Sequence, residues 1–184
     1  MTCDARPRGG LLRIVSSFML SEATIVVSAP VSLADYTQAG LIVPRLRERD
    51  TAGIISELSQ ALQREGCVPD LLQFYHSALN QELLANSAVD CGLAFPHVRL
   101  SGVKRLQFAF GRTARPVVWG VNRSCLVQLV FLLAVPATDA AGYLHLLASL
   151  ARLGQQLDIL DQLRRAENSE GILTVLRQAR LRQA

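Results

Sequence analysis

Apolar residues follow a helical period in the part of the chain that begins at residue 50. Asp50 is suited to cap a helix N-terminus, and Gly66 is suited to end the helix. Between them, one helical face carries Ile54, Ile55, Leu58, Ala61 and Leu62. Pro69-Asp70 starts a second pattern, whose predicted buried stripe is Leu71, Leu72, Tyr75, Leu79 and Leu83. These patterns predict two consecutive helices, the first over residues 51–65.

The middle of the chain changes to strand patterns. Leu106, Phe108 and Phe110 alternate with less apolar neighbours, which predicts a strand with one face turned inward. Residues 125–135 are almost continuously apolar, as expected for a central strand covered on both faces. Residues 116–120 predict a short edge element between these two strands, with Trp119 as a core or edge anchor.

Helical patterns return in the last third. The spacing of Leu144, Leu147, Leu150 and Ala151 predicts a helix that turns this stripe to the core and leaves His145 at the margin of the stripe. A short helix is predicted over residues 157–163, and Ser169 is predicted to cap a final helix. Helices, then strands, then helices predict an α/β fold, a single mixed β-sheet flanked by helices on both sides.

Composition narrows the class of protein. Of 184 residues, half are hydrophobic and 18% are charged, which fits one globular domain and excludes a disordered chain. The net charge of +4 is concentrated at the two ends of the chain, and only 5% of residues are aromatic, so a nucleic-acid interface is not expected. The four cysteines form no CxxC pair, which predicts no metal site and a reducing compartment.

The N-terminal residues predict neither a leader nor an anchor. Arg13 and Glu22 interrupt the apolar run near the start, and the longest apolar stretch elsewhere, residues 126–136, is too short to span a bilayer. We therefore expect a cytoplasmic protein without membrane insertion. Residues 1–30 are expected to form an extension, disordered at least in part, and residues 31–184 to form the folded domain.

One histidine stands in a setting that suits chemistry. His97 follows Pro96 at the end of the short apolar run that begins at Gly92. Proline cannot donate to a strand ladder and stiffens the backbone, so a strand is expected to give way to a loop here and to present the imidazole on a stiff stem. Cys91 lies six residues earlier, which leaves a Cys/His nucleophile pair as an alternative.

Two motifs in the chain carry a resemblance to a known family. The first runs to the histidine and consists of Gln81, Glu82, Ser87, Gly92, Ala94, Phe95, Pro96 and His97. The second is an apolar strand that ends in proline, residues 131–136, followed by a helix with His145-Leu146. With these motifs, the sequence from about residue 33 to residue 181 resembles the fructose/mannitol-type enzyme IIA family of the phosphoenolpyruvate-dependent sugar phosphotransferase system, which includes nitrogen-related regulatory members.

The resemblance implies a function without a cofactor or a metal. It implies that His97 is phosphorylated by the phosphocarrier protein HPr and that His145 stabilises the phosphoryl group. Gln81 stands where the family usually has arginine, and Arg99 is a candidate replacement for that cation. Gln81, Ser87 and Arg99 are thus the expected phosphate-pocket residues, and the fold expected is the phosphotransferase/anion-transport-like sandwich.

Two functions remain open from the sequence. The first is a phosphocarrier subunit that passes phosphate from HPr to an enzyme IIB and finally to a sugar. The second is a regulatory protein of the nitrogen-related type, whose phosphorylation or mere binding controls a target protein. A homodimer is compatible with either function.

Overall fold

A computed structural model describes residues 32–120 and 125–179 of the chain. The described elements are two short 3₁₀ turns (Leu33–Tyr36 and Ala39–Leu41), followed by β1 (Ile42–Val43), α1 (Thr51–Arg64), α2 (Leu71–Leu84), β2 (Ala88–Val89), β3 (Leu93–Ala94), β4 (His97–Leu100), β5 (Gln107–Trp119), β6 (Cys125–Pro136), α3 (Ala140–Leu153), α4 (Leu157–Arg165) and α5 (Ser169–Gln178). The predicted extension, residues 1–30, lies outside the described residues. No helix in the described ranges is both long and apolar enough to cross a membrane.

The strands form one mixed sheet in the order β1-β5-β6-β3-β2, and β4 also pairs with β6. The long strands β5 and β6 run antiparallel, whereas β3 and β4 run parallel to β6 on its other side. Helices α1 and α2 cover one face of this sheet, and α3, α4 and α5 cover the other. The predicted α/β sandwich around a single mixed sheet is confirmed.

The sequence patterns predicted where the helices lie along the chain better than they predicted which helix faces are buried. Asp50 caps α1, as predicted, and its side chain accepts a hydrogen bond from the Gly53 backbone N–H at 2.9 Å. The predicted stripe of α2 is wrong in part, because Leu72 is 66% exposed and Leu83 is 54% exposed. The buried positions of that helix are instead Phe74, Ala78 and Glu82. Its many leucines concealed this phase, since apolar residues occupy several faces.

Two predictions about the later elements need correction. Residues 116–119 are not a separate edge element, because they continue β5, and residues 117–119 pair with β6 beyond a register shift between Arg112 and Val117. Trp119 is fully buried in the core under α1 and α2. The cap of α5 is Asn168 and not Ser169, since the Asn168 side chain accepts from the Gly171 backbone N–H. Ser169 is the first residue of that helix.

Candidate functional site

The strand that leads to His97 is interrupted and then resumes. β3 and β4 both lie parallel to β6, with Ala94 opposite Val130 and His97 opposite Leu133. Between them, Pro96 has no N–H to donate, but its carbonyl accepts from the Leu133 backbone N–H at 2.8 Å. The prediction that the strand gives way to a loop at His97 is therefore wrong, because the ladder restarts at this residue. His97 is held on a strand.

The imidazole of His97 is oriented by the backbone just before it. Its Nδ1 lies 3.1 Å from the carbonyl oxygen of Phe95. A carbonyl can only accept, so the neutral ring carries its proton on Nδ1 and donates it there. The lone pair of Nε2 is then available for chemistry, and the ring is partly exposed to solvent. This is the tautomer that a nucleophilic histidine needs.

A cavity of about 320 Å³ opens beside this ring. It lies along β4, which pairs only with β6 in the described part of the sheet. Its lining comes from three elements and the end of a fourth: Ser77 and Gln81 of α2, His97, Val98 and Arg99 of β4, Val135 of β6 and Tyr143 of α3. The cavity thus sits at an open sheet edge between the two helical layers. Among these lining residues, Arg99 is the one with a permanently charged side chain.

Tyr143 is the aromatic partner of His97. The two ring centroids are 5.3 Å apart, with an angle of 37° between the ring planes. Burial raises the pKa of Tyr143, and the positive charge of Arg99 opposes that rise in part. The phenol is therefore protonated at neutral pH and can donate a hydrogen bond. Arg99 and Tyr143 line the same cavity.

The structure brings together three of the five predicted site residues. His97, Gln81 and Arg99 line the cavity, whereas Ser87 and His145 do not. The hydroxyl of Ser87 donates to Glu82 at 2.6 Å, which makes it part of the local framework. Tyr143 is the α3 residue packed on the His97 ring, and the expected role of His145 in stabilising the phosphoryl group stays a prediction. Tyr143 and His145 are two residues apart, which corresponds to a rotation of about 200° around the helix axis. Their side chains therefore leave α3 on nearly opposite sides.

Glu82 fixes the end of α2 beside the site. This carboxylate is 3% exposed and has no ion-pair partner among the described residues. Its Oε1 accepts from the indole Nε1 of Trp119 at 2.7 Å and from the Ser87 backbone N–H at 2.8 Å. Helix α2, the segment before β2 and the end of β5 are thereby joined at one point. Gln81, the preceding residue, is consequently held at the cavity.

The alternative nucleophile pair, Cys91 and His97, does not share a cavity. Cys91 packs against the core under α3, α4 and α5, next to Gly154, and is not among the residues that line the His97 cavity. Asp90 lies near the His97 motif, and its negative charge would repel a phosphoryl group if it pointed into the site. It is exposed and also lies outside that lining. No carboxylate therefore lines the cavity to repel an incoming anion.

Comparison with known proteins identifies the family. Residues 35–179 match the family described as "Phosphoenolpyruvate-dependent sugar phosphotransferase system, EIIA 2". The chain belongs to this family. The resemblance noted from the two sequence motifs is therefore confirmed.

Relatives of this EIIA type-2 chain occur in two settings. A nitrogen regulatory protein of Bradyrhizobium diazoefficiens is 30% identical over 149 residues, which cover 78% of this chain and 94% of that protein. The 2-O-alpha-mannosyl-D-glycerate-specific EIIABC component of Escherichia coli is 31% identical over 134 residues. That match covers 72% of this chain but only 20% of the component.

Solved structures show the same EIIA fold. The nitrogen regulatory protein IIA-Ntr of Neisseria meningitidis has a TM-score of 0.67 and 25% identity, covering 78% of this chain and 98% of that one. The Escherichia coli enzyme IIA for mannitol, solved in complex with phosphorylated enzyme IIB, has a TM-score of 0.65 and 16% identity. It covers 76% of this chain and 96% of the other.

Sequence reasoning missed Tyr143, although a signal was present. The buried positions of α3 are Leu146, Ser149, Leu150 and Leu153, while Leu144 is 62% exposed. Tyr143 belongs to this true stripe, at three residues before Leu146 and seven before Leu150. Tyr143-Leu144 and His145-Leu146 are two consecutive aromatic-leucine pairs, and the family resemblance pointed to the histidine-containing pair. The predicted apolar stripe began at Leu144, two residues before the buried Leu146.

Proposed function

We propose that this EIIA type-2 chain accepts a phosphoryl group on Nε2 of His97 and passes it on. The observation that carries this proposal is the hydrogen bond from Nδ1 of His97 to the Phe95 carbonyl, which directs the lone pair of the other nitrogen outward. The donor is expected to be a histidine-phosphorylated carrier of the HPr type, as the resemblance to the family implied. Phosphate arriving on a protein histidine requires no nucleotide site in this chain.

The transfer is a displacement at phosphorus. The Nε2 lone pair of His97 attacks the phosphorus, the bond to the donor histidine breaks, and that electron pair returns to the donor nitrogen. Charge on the three equatorial oxygens must be stabilised during this step. Arg99 supplies a cation, and Tyr143 and Gln81 supply neutral donors from the cavity lining. Arg99 supplies the cation for which the family resemblance implied an arginine, and the role that it implied for His145 stays a prediction.

We propose enzyme IIB as the first candidate recipient of the phosphoryl group. The support is the Escherichia coli mannitol enzyme IIA, which shares this fold and was solved with phosphorylated enzyme IIB. In this setting the chain is a phosphocarrier subunit of a sugar transport system.

A regulatory role of the nitrogen type is the second candidate. The nitrogen regulatory protein of Bradyrhizobium diazoefficiens is matched over 94% of its length and 78% of this chain, which supports this setting. The phosphorylation state of His97 would then alter binding of a target protein at the cavity rim. A phosphoryl group adds a negative charge of about two, which is sufficient to change such an interface.

Phosphorylation in a defined mixture tests the shared part of both roles. The full chain is incubated with phosphoenolpyruvate, enzyme I and HPr, and its intact mass is measured before and after acid treatment. Wild type should gain one acid-labile phosphoryl group, and His97→Ala should gain none. His76→Ala is the matched control, because His76 is an exposed histidine of α2 outside the cavity lining. Wild type that stays unmodified, or a modified His97→Ala, would refute the proposal.

A second assay separates the two roles. Phosphorylated protein is mixed with the enzyme IIB proteins of the source organism, and transfer is followed by mass. Rapid transfer supports the transport role. Retention of the phosphoryl group, together with a target protein that distinguishes the modified from the unmodified form, supports the regulatory role.

A further inference from the structure

A second cavity, of about 670 Å³, lies between residues 45–49 and the irregular part of β5, residues 113–117. We name this cavity the basic groove. It is lined by four arginines, Arg45, Arg47, Arg49 and Arg115, and by one acid, Glu48. None of its lining residues lines the His97 cavity. A ligand at the basic groove would therefore leave the phosphorylation site uncovered.

The sheet itself creates the basic groove. Strand β1 is only two residues long, and its pairing with β5 ends at Val43 opposite Gly111. One further hydrogen bond, from the Leu46 backbone N–H to the Arg112 carbonyl at 2.8 Å, holds the departing chain beside β5. On the other side, the register between β5 and β6 shifts between Arg112 and Val117. Such irregularities are common next to binding sites, because they turn side chains out of the ladder.

The arginines of the basic groove are poorly neutralised. Arg47 lies 3.6 Å from Glu57, but that carboxylate also accepts the backbone N–H groups of Arg47 and Glu48. Arg45, Arg49 and Arg115 are exposed and form no ion pair with any residue that the structure describes. Exposed clusters of one charge sign repel themselves unless a counter-charge is present. An anionic ligand would supply that counter-charge.

A smaller cavity extends the positive surface behind the groove. Its volume is about 250 Å³, and it shares Arg45, Thr113 and Ala114 with the basic groove. It adds Arg112 and also Arg164, which is paired with Asp161 at 2.9 Å. The Arg112 guanidinium is fixed by the carbonyl oxygens of Pro44 and Arg164, at 3.0 and 2.5 Å. Burial, followed by the nearby charge of Arg45, lowers the pKa of Arg112 from its ordinary value. The positive groups are thus close enough to influence one another.

Size and lining restrict the class of ligand. A volume of 670 Å³ falls in the range of small-molecule sites, which are typically about 300–1,000 Å³. No aromatic side chain lines the groove, so there is no platform on which a nucleic-acid base could stack. Guanidinium groups bind phosphate oxygens in pairs, and several guanidinium groups around one space suit several phosphates. We propose that the basic groove binds a small oligophosphate, a molecule that carries two or more linked phosphate groups.

Calorimetric titration of the full chain tests the proposal. The probes are inorganic tripolyphosphate and ATP without magnesium, each at physiological ionic strength, with sodium sulfate as the comparison anion. Tripolyphosphate should bind at least about tenfold more tightly than sulfate, because several charge-assisted hydrogen bonds form together. Equal affinity for the two phosphate probes assigns recognition to phosphates alone, whereas tighter binding of ATP assigns a nucleotide. Both results support the proposal.

Charge-neutral variants locate the site. Arg45→Gln, Arg49→Gln and Arg115→Gln should each weaken tripolyphosphate binding about tenfold, the effect of one lost charged contact. Arg177→Gln is the matched control, since it removes an exposed arginine on α5 and should leave the affinity unchanged. Arg99→Gln is a second control, which tests whether the probe binds at the His97 cavity instead.

Four results would overturn the proposal. The first is that tripolyphosphate does not bind, and the second is that Arg177→Gln and Arg115→Gln lose affinity for it equally. The third is that only Arg99→Gln loses affinity. The fourth is that the chain binds a poly-glutamate peptide but not tripolyphosphate. The last result would identify the groove as a docking surface for an acidic protein segment. Phosphorylation of His97 is measured separately, so either proposal can fail while the other stands.

Discussion

The indole Nε1 of Trp119 donates a hydrogen bond of 2.7 Å to the carboxylate of Glu82, and both residues are buried. The two residues are 37 positions apart and belong to the end of β5 and the last turn of α2. Their contact sets the position of α2 against the sheet. Since Ser77 and Gln81 on this helix line the His97 cavity, the geometry of the site depends on a hydrogen bond outside it.

Breaking the Glu82–Trp119 contact should destabilise the fold. Glu82→Ala leaves the buried indole N–H without its acceptor, which costs about 1–3 kcal/mol in addition to the lost packing. Loss of the hydrogen bond in Trp119→Phe should cost less stability than in Glu82→Ala, because Glu82 keeps its two hydrogen bonds from Ser87. Urea unfolding of both single variants and the double variant measures the coupling between them. Additive losses would show that the two residues do not stabilise each other.

Tyr143 should matter for phosphoryl transfer, whereas His145 should not. Tyr143→Phe keeps the ring beside His97 but removes the O–H donor, so transfer should slow by about tenfold to a hundredfold. His145→Ala should transfer at close to the wild-type rate. Single-turnover transfer from phosphorylated HPr gives both rates. A slow His145→Ala beside an unchanged Tyr143→Phe would restore the assignment made from the sequence motif.

Arg99 should act as the cation of the site. Arg99→Gln removes the one charged side chain that lines the cavity, and the transfer rate should fall about tenfold or more. Introducing Gln81→Arg into this variant returns a cation to the same cavity and should recover part of the rate. The same single-turnover assay compares the three proteins. No loss in Arg99→Gln would show that neutral donors are sufficient.

Tyr143 should also titrate above the ordinary tyrosine range. Burial raises its pKa, so the folded protein keeps the proton at pH values where the unfolded chain releases it. Stability is therefore expected to fall as pH rises above about 10, the unfolded value for tyrosine. Absorbance of tyrosinate follows the titration, and Tyr143→Phe should remove one high-pKa component. Tyr36, whose pKa is raised mainly by burial, should account for another.

Gly92 should be required for its backbone conformation. Its φ is +82°, and its carbonyl accepts from the backbone N–H groups of Gln128 and Leu129 at 2.9 and 3.1 Å. A Cβ there would meet Arg164 no closer than 3.5 Å, so the cost of Gly92→Ala is conformational, about 1–2 kcal/mol. Gly66→Ala is the matched comparison, with φ +68° and open space around the Cβ position. A much larger loss in Gly92→Ala would indicate disturbance of the β3 connection.

Interactions between residues that are close in sequence allowed the main helices and strands, and the motif around His97, to be predicted. Periodic apolar residues, Asp50 as a cap and the long apolar run of β6 each act within a few positions, so they predicted α1, β6 and the mixed sandwich. The resemblance around Gly92 and His97 predicted the family, and Gln81 and Arg99 were found because they adjoin this motif. The very short strands β1 and β2 left no comparable pattern, since two residues cannot establish a period.

By itself, therefore, the sequence determined the fold class, the family and the histidine proposed to react. Only the tertiary structure decided that Tyr143 packs on His97, that the Ser87 hydroxyl donates to Glu82, and that four arginines line one groove. The physical reason is that a helix turns about 100° per residue. A small error of phase on an apolar helix such as α3 therefore exchanges a buried leucine for an exposed one, as with Leu146 and Leu144, and only packing against the sheet fixes the phase.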